Sequence, residues 1–554
     1  MINERLFDDN ILSYLEKNVQ TDKKNKCINY FGKWWTFEEV FEESRKVAKQ
    51  LTKLGLKKGD RITVSMVNFP QALFLIFGAS YLGLEMFMWD VRNNTQSFVK
   101  ICERVHPKVI FYCDWDSRFV LRMCRKYKDT LFIQVGPIDC FSSAASAFRA
   151  FGFDFISCRW PIAKNRKKWS YLAKQDISDV KLPEPSKTHF MYFPTSGSTG
   201  QSKYVILSSK HFCYQLHEYN RYFINGKFKF REDDAFLNFL PVFACTGLDM
   251  IIAAMLVGMK QYIYPIPDIA KVWEQIITHK CSYVFGPTKF YEEMISFEFA
   301  KETKDLSFIR FLGCGGDKLP PEKEAMLNAF FNERGSSVKM SNGYGMTETT
   351  APIAIQDGLD YHLGNVGPIW ENTDIKIVDP KTGKFLKDGE VGEIWVNSLS
   401  KMIGYLKYDE NGKEYIEKPG EYLHTGDLGY IKENQLYVEG RISRMVTMKN
   451  GSKFLSEEYE NTIKNLDGIK ETAVICDNSK GDNAEISLFV QFENENNAKS
   501  DYQKMIKFIR KNMNPFEFPT FVYQVKDFPM LPNTKKDYKK LEVLAKEGKL
   551  LKLR

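Results

Sequence analysis

Between residues 192 and 204 the chain reads YFPTSGSTGQSKY. Thr195, Ser196, Gly197, Ser198, Thr199 and Gly200 interleave hydroxyls with glycines, and Lys203 follows. Glycine lets backbone N–H groups approach an anion closely, and successive N–H groups make an anion-binding nest. Hydroxyls add neutral donors, and a lysine adds a point charge. The run therefore has the composition of a phosphate cradle. It is not a P-loop, because Gly197 and Gly200 are three apart and Lys203 is followed by Tyr204. Taken alone, such a run also reads as a flexible linker, so the decision rests on what else the chain carries.

Four more stretches bear on it. NGYGMTETT, residues 342–350, sets Tyr344 between two glycines and follows it with Thr347 and Glu348. An aromatic in a tight glycine turn can lie against a purine. A carboxylate beside a phosphate-binding hydroxyl suits Mg²⁺, which is commonly held by one or two carboxylates plus substrate phosphates. HTGDLGYI places Asp427 in a turn, where a carboxylate can accept both hydroxyls of a ribose. EGRISR adds Arg441, and LPNTKKDYKKL presents Lys535 and Lys536 beside a Pro/Asn turn. Each stretch alone reads as a turn, a surface charge or a helix start. All five in this order read as a nucleotide site.

The ordered set resembles the adenylate-forming superfamily: acyl- and aryl-CoA synthetases, adenylation domains of peptide synthetases and firefly-type luciferases. The resemblance runs from about residue 28 to the end and includes GEIWVNSLSKMIGYL at 392–406. It implies that residues 195–200 and Lys203 hold the β- and γ-phosphates of ATP, and that Gly315, Gly316 and Tyr344 flank the adenine. Thr347 would contact the α-phosphate, Glu348 would bind Mg²⁺, and Asp427 and Arg441 would hold the ribose. Lys535 would reach the carboxylate and the α-phosphate from a small mobile domain. The implied catalytic residues are Lys535, Thr347 and Glu348, with Lys536 as the alternative lysine. Three positions depart from the family pattern: Ser202 replaces a proline, Ser443 replaces a charged hinge residue, and Thr534 replaces a glycine before the lysine.

The secondary structure around these residues is legible as texture. TFEEVFEESRKVAKQLTKLGL has helical apolar spacing, opened by a Thr36/Glu39 capping box and closed by Gly55. DRITVSMVN, KVIFYC and TLFIQVG read as buried strands. This strand–helix alternation predicts α/β layers with largely parallel sheets. Beyond about Gly364, short alternating segments broken by Gly, Asp and Asn predict hairpins in a smaller β-rich subdomain. From about Ser443 the texture is a compact α+β tail. The expected division is a large domain over 1–442 and a small mobile one over 443–554. The apolar run 72–89 contains Glu85 and reads as a buried helix running into a strand.

Composition bounds the function classes. At 554 residues the chain exceeds a single core. The net charge of +8 comes from 78 basic and 70 acidic residues spread without a long basic block, which argues against nucleic-acid binding. Eleven cysteines without a CxxC pair argue against a disulfide framework or zinc site. With no secretion signal and no transmembrane segment legible, a cytoplasmic enzyme is expected.

The resemblance implies ATP-dependent activation of a carboxylic acid to an acyl-adenylate, with pyrophosphate released. Transfer to the thiol of coenzyme A follows, or transfer to a carrier-protein phosphopantetheine. At Ala244, amino-acid-activating members carry an aspartate and many acyl-CoA synthetases a histidine. An apolar residue there would leave a buried ammonium unpaired, which disfavours an α-amino acid and favours a fatty or aryl acid. Asp249 is expected on a helix surface, with a place in the acid pocket as the alternative. The reading from another class is a nucleotide-binding scaffold that has lost catalysis, motivated by the altered hinge and lysine motif.

Overall fold

The structure is a computed structural model that describes residues 4–91, 95–113, 117–141, 164–195, 203–224, 230–265, 268–356, 361–442, 445–447, 453–477, 485–513, 518–531 and 535–554. The chain divides into two compact units. One comprises residues 1–376, 395–424 and 431–437, and the other 377–394, 425–430 and 438–554.

The first unit is α/β, as the alternation predicts. The helix Phe37–Lys53 opens on the expected reciprocal cap. Glu39 N donates to Thr36 Oγ1 at 3.1 Å, and Thr36 N donates to Glu39 Oε2 at 2.7 Å. Its Val40, Phe41, Val47, Ala48 and Leu51 are buried. Gly55 follows at φ +82°, a conformation that favours glycine. The apolar run becomes the helix Pro70–Leu82 and the strand Glu85–Met88. That helix has 13 residues, about 20 Å of rise, and is buried on nearly every side. No helix among the described residues is long and apolar enough to cross a membrane.

Two large sheets carry Thr195, Lys203 and Tyr344. A nine-stranded sheet has the order Glu414–Glu417, Gly404–Tyr408, Lys203–Ser208, Phe190–Thr195, Glu85–Met88, Arg61–Ser65, Val109–Cys113, Leu131–Val135, Arg166–Lys168. Its centre is parallel, and Lys203–Ser208 pairs antiparallel with both neighbours. An eight-stranded sheet runs Ala351–Ile355, Met340–Met346, Phe311–Cys314, Tyr283–Gly286, Ala235–Asn238, Lys260–Ile263, Lys26–Tyr30, Lys33–Thr36. The strands from Ala235–Asn238 to Met340–Met346 are parallel, so their C-terminal ends lie at one edge. Ligands in open α/β sheets bind at such edges.

The expected hairpins form a four-stranded sheet of Thr373–Val378, Gly392–Ser398, Leu423–Lys432 and Gln435–Arg441. The α+β tail has a four-stranded sheet of Ile469–Asp477, Glu485–Phe492, Phe521–Gln524 and Leu551–Lys552. The helices Ser456–Lys464, Ala498–Asn512 and Tyr538–Lys546 accompany it, and Ile463, Val474, Leu488, Val490 and Ile509 centre its core.

Candidate active site

Thr195 ends one strand and Lys203 begins the next, and the two are paired across the antiparallel ladder. Ser196, Gly197, Ser198, Thr199 and Gly200 lie outside the described residues. Thr195 Oγ1 donates to the carbonyl of Lys203 at 3.5 Å. The Lys203 ammonium lies 5.0 Å from the centre of the Tyr405 ring. Tyr405 in turn donates its phenolic proton to Glu348 Oε1 at 2.9 Å. The structure thereby links the lysine of the first motif to the carboxylate of the second, through a residue to which the sequence analysis assigned no role. The signal available for it was its place in the quoted 392–406 stretch.

Thr347 and Glu348 sit in the one-turn helix Thr347–Thr349 that follows the strand Met340–Met346. The turn is tightly specified. Thr349 Oγ1 accepts from Met346 N at 3.1 Å and lies 3.1 Å from the Met346 carbonyl and 3.0 Å from that of Ala351. Thr350 Oγ1 donates to Ser400 O at 2.8 Å, and Met402 N donates to Glu348 O at 2.8 Å. Thr350 and Ala351 have φ of +57° and +78°, a left-handed pair without glycine. Backbone in that region is held only where surroundings over-determine it, and such positions concentrate at functional sites. Gly345 is obligatory here, since an added Cβ would stand 2.2 Å from the Ala351 carbonyl oxygen.

Gly315, Gly316 and Tyr344 line one cavity of about 80 Å³, which lies wholly within the first unit. Gly316 has φ +87°. The rest of the wall is mainly apolar, with aromatic rings from Phe230, Phe236, Tyr283, Phe285 and Phe311. The helix Cys245–Leu256 supplies Thr246, Met250, Ala253 and Ala254. Ala244 caps that helix and makes no side-chain cap bond.

Asp249, on the same helix, corrects an expectation. It is 0% exposed, not on a helix surface. Tyr219 donates to its Oδ2 at 2.7 Å, while Oδ1 has no hydrogen-bond partner among the described residues. Burial pushes its carboxyl well above the usual carboxylate range. The sequence missed this because an aspartate is seldom fully buried unless paired, so a lone acid on a helix reads as its wet side.

In the second unit Asp427 is 6% exposed, and Arg441 Nε meets its Oδ1 at 2.7 Å. Arg441 Nη1 also donates to Thr425 O at 3.1 Å. Gly426 N donates to Glu393 Oε1 at 3.1 Å, and Thr425 Oγ1 donates to Ile394 O at 2.7 Å, which fixes the turn. Lys535 is exposed, and its carbonyl accepts from Leu531 N at 2.7 Å. Lys536 is enclosed instead. Its ammonium lies 3.3 Å from Glu460 Oε2 and 3.0 Å from Glu471 Oε1, and it donates to the Thr472 carbonyl. Burial works to raise the Glu471 carboxyl, but Lys536 and Lys464 together hold it below the usual range. Ser443 and Thr534, the two departures flanking these residues, lie outside the described residues.

A family model described as AMP-binding enzyme matches residues 15–406, most of the chain. The chain belongs to the AMP-binding enzymes. Among relatives of this AMP-binding enzyme, 4-coumarate–CoA ligase 2 of Solanum tuberosum is 28% identical over 481 residues, covering 84% of this chain and 81% of its own. The 4-coumarate–CoA ligase of Vanilla planifolia is 26% identical over 548 residues, covering 94% and 91%. The protein is accordingly an acid–thiol ligase of the AMP-forming class. The anthranilate CoA ligase AuaEII in complex with anthranoyl-AMP superposes with a TM-score of 0.79 at 18% identity, covering 99% and 100%. O-succinylbenzoate coenzyme A synthetase from Bacillus subtilis, with ATP and magnesium ion, gives 0.72 at 18%, covering 96% and 99%. Both likenesses show the adenylate-forming fold.

Proposed function

We propose that this enzyme joins an aryl carboxylic acid to coenzyme A through an aryl-adenylate. The observation that carries the reading is the apolar cavity, lined in part by aromatic rings and by Gly315, Gly316 and Tyr344. An apolar cavity with few polar groups takes a flat hydrophobic ligand. Ala244 offers no carboxylate to an α-ammonium, which favours an acid without one. The curated relatives named above point to the same aryl class.

In the first half-reaction a carboxylate oxygen of the acid attacks the α-phosphorus of ATP. The bond to the β-phosphate oxygen breaks, and pyrophosphate leaves with that electron pair. Both reactants are anionic, so approach needs screening and alignment. Lys203 and the 195–200 segment would hold the β- and γ-phosphates, and Thr347 would donate to the α-phosphate. Asp427 would accept the ribose hydroxyls, with Arg441 steadying its carboxylate. Lys535, exposed beside the enclosed Lys536, would meet the acid carboxylate and the α-phosphate. In the second half-reaction the coenzyme A thiol, its proton passing to water, attacks the activated carbonyl; the bond from that carbon to the phosphate oxygen breaks, and AMP leaves with the electron pair.

Glu348 fits a magnesium ion. It is a single half-buried carboxylate oriented by Tyr405, and no cluster of three or more His, Cys, Asp or Glu surrounds it among the described residues. That donor set suits a cation completing its shell with phosphate oxygens and water. Bound there, magnesium would neutralise phosphate charge as it accumulates. The division at 442/443, with a small unit that rearranges between the half-reactions, belongs to the same proposal.

The test is acid-dependent pyrophosphate release with ATP and magnesium across aryl, fatty and amino acids. Release is expected with aryl acids and should give an aryl-CoA thioester when coenzyme A is added. A fatty acid as the best substrate would overturn the aryl assignment. Turnover with a phosphopantetheinylated carrier protein but not with coenzyme A would overturn the acceptor. No release with any acid, while ATP still binds, would favour the nucleotide-binding scaffold.

A further inference from the structure

We propose that Tyr405 is a positioning residue. It orients the Glu348 carboxylate for the metal-bound nucleotide and holds the Lys203 ammonium beside it before the nucleotide arrives. The inference rests on the roles proposed above for Glu348 and Lys203, and it assigns a third residue that couples them.

The strand geometry makes the coupling. Tyr405 pairs directly with Val205 across the antiparallel ladder. Side chains two residues apart on a strand share a face, so Lys203 is the diagonal neighbour of Tyr405. The Lys203 ammonium consequently lies 5.0 Å from the ring centre. Such a contact is weak where water is near. It is enough to bias the position of a long flexible side chain and too little to compete with a triphosphate. Lys203 is thus held beside the site and is released to a stronger anionic partner.

Glu348 is held at two points by residues three apart in sequence. Met402 N donates to its carbonyl at 2.8 Å, and Tyr405 Oη donates to Oε1 at 2.9 Å. The terminal torsion of a glutamate is broad, so an unbonded carboxylate samples many orientations. One fixed phenol bond to Oε1 sets the carboxylate plane. It leaves Oε2 and a further lone pair of Oε1 for a cation, because an ionised carboxylate has about four acceptor sites. A link at Ile403, whose N donates to Ile206 O at 3.0 Å, joins the same segment to the strand of Lys203.

Two variants separate the contacts. Tyr405→Phe keeps the ring and its packing and removes only the hydroxyl. Tyr405→Leu removes both. Binding of a non-hydrolysable ATP analogue is measured calorimetrically with and without magnesium, beside KM for ATP and for the acid. Tyr405→Phe should lower the gain in nucleotide affinity from magnesium by about 3- to 10-fold, the range of one hydrogen bond. It should raise the magnesium needed for half-maximal pyrophosphate release while leaving magnesium-free binding and KM for the acid unchanged. Tyr405→Leu should in addition change magnesium-free binding, through Lys203. A Tyr405→Phe enzyme with wild-type magnesium dependence overturns the inference and leaves the proposed function standing. So does a parallel rise in every KM with a lowered melting temperature, which marks a packing role. If Tyr405→Leu does not fold, Tyr405→Phe decides alone. A wild-type enzyme that neither binds the analogue nor releases pyrophosphate overturns the proposed function itself.

Discussion

Two adjacent lysines have the same charge and different surroundings. Lys536 lies between the carboxylates of Glu460 and Glu471, and Lys535 is exposed. Removing one partner of an enclosed ion pair leaves charges unpaired and costs about 3–5 kcal/mol. Lys536→Ala should therefore lower the melting temperature of the small unit, while adenylation per folded molecule survives. Lys535→Ala should lower the melting temperature less than Lys536→Ala does and cut pyrophosphate release by about 100-fold or more, the scale of one positioned transition-state group. Thermal denaturation beside a pyrophosphate assay separates the two, and a swapped result would move the catalytic assignment to Lys536. Asp249 makes a pH prediction. Burial raises its folded pKa above the ordinary 3.8, so the folded state binds a proton that the unfolded chain releases. Its contribution is present below about pH 3.8 and lost as pH rises. The stability advantage of Asp249→Asn over wild type should therefore grow from pH 4 to pH 7, and a gap independent of pH would refute it.

At the scale of elements, the turn carrying Glu348 depends on backbone spacing more than on side chains. Gly345→Ala would drive a methyl into the Ala351 carbonyl, a distance of 2.2 Å. Relief requires moving the strand Ala351–Ile355 or the Thr347–Thr349 turn. The expected cost is about 1–3 kcal/mol of stability, with a larger loss of activity than of fold, because the displaced turn holds Glu348. Chemical denaturation and the pyrophosphate assay check both halves. A variant that is destabilised yet fully active would show that the turn tolerates displacement. The capping box at Thr36 and the buried helix Pro70–Leu82 were legible because cap chemistry and apolar length are local properties. The Tyr405 link was not, since it joins residues 57 apart in sequence. No local spacing rule reaches that far.

For the whole molecule, two buried histidines make stability sensitive to acid. Burial lowers the pKa of His189 to about 3. Burial, then the charge of Lys210, lowers that of His211 to about 4. Both rings stay neutral in the fold, while the unfolded chain takes up protons below about 6.5. This stability is present above pH 6.5 and is lost as pH falls toward 4 and then 3. The melting temperature should drop steeply between pH 6.5 and 4, and His189→Gln should flatten the drop even if it lowers the starting value. An unchanged slope in that variant would exclude His189 as a source.

Local spacing carried the expectation of a nucleotide site, because each of its motifs is a short run of neighbouring residues. It also determined the α/β layering, because periodicity is written residue by residue. Tertiary structure decided which lysine of the Lys535–Lys536 pair is enclosed and that Asp249 is buried. It also decided that Tyr405 joins Lys203 to Glu348. Each of these depends on strand register or helix rotation across distant segments, and register is set by packing of the whole sheet rather than by neighbours along the chain.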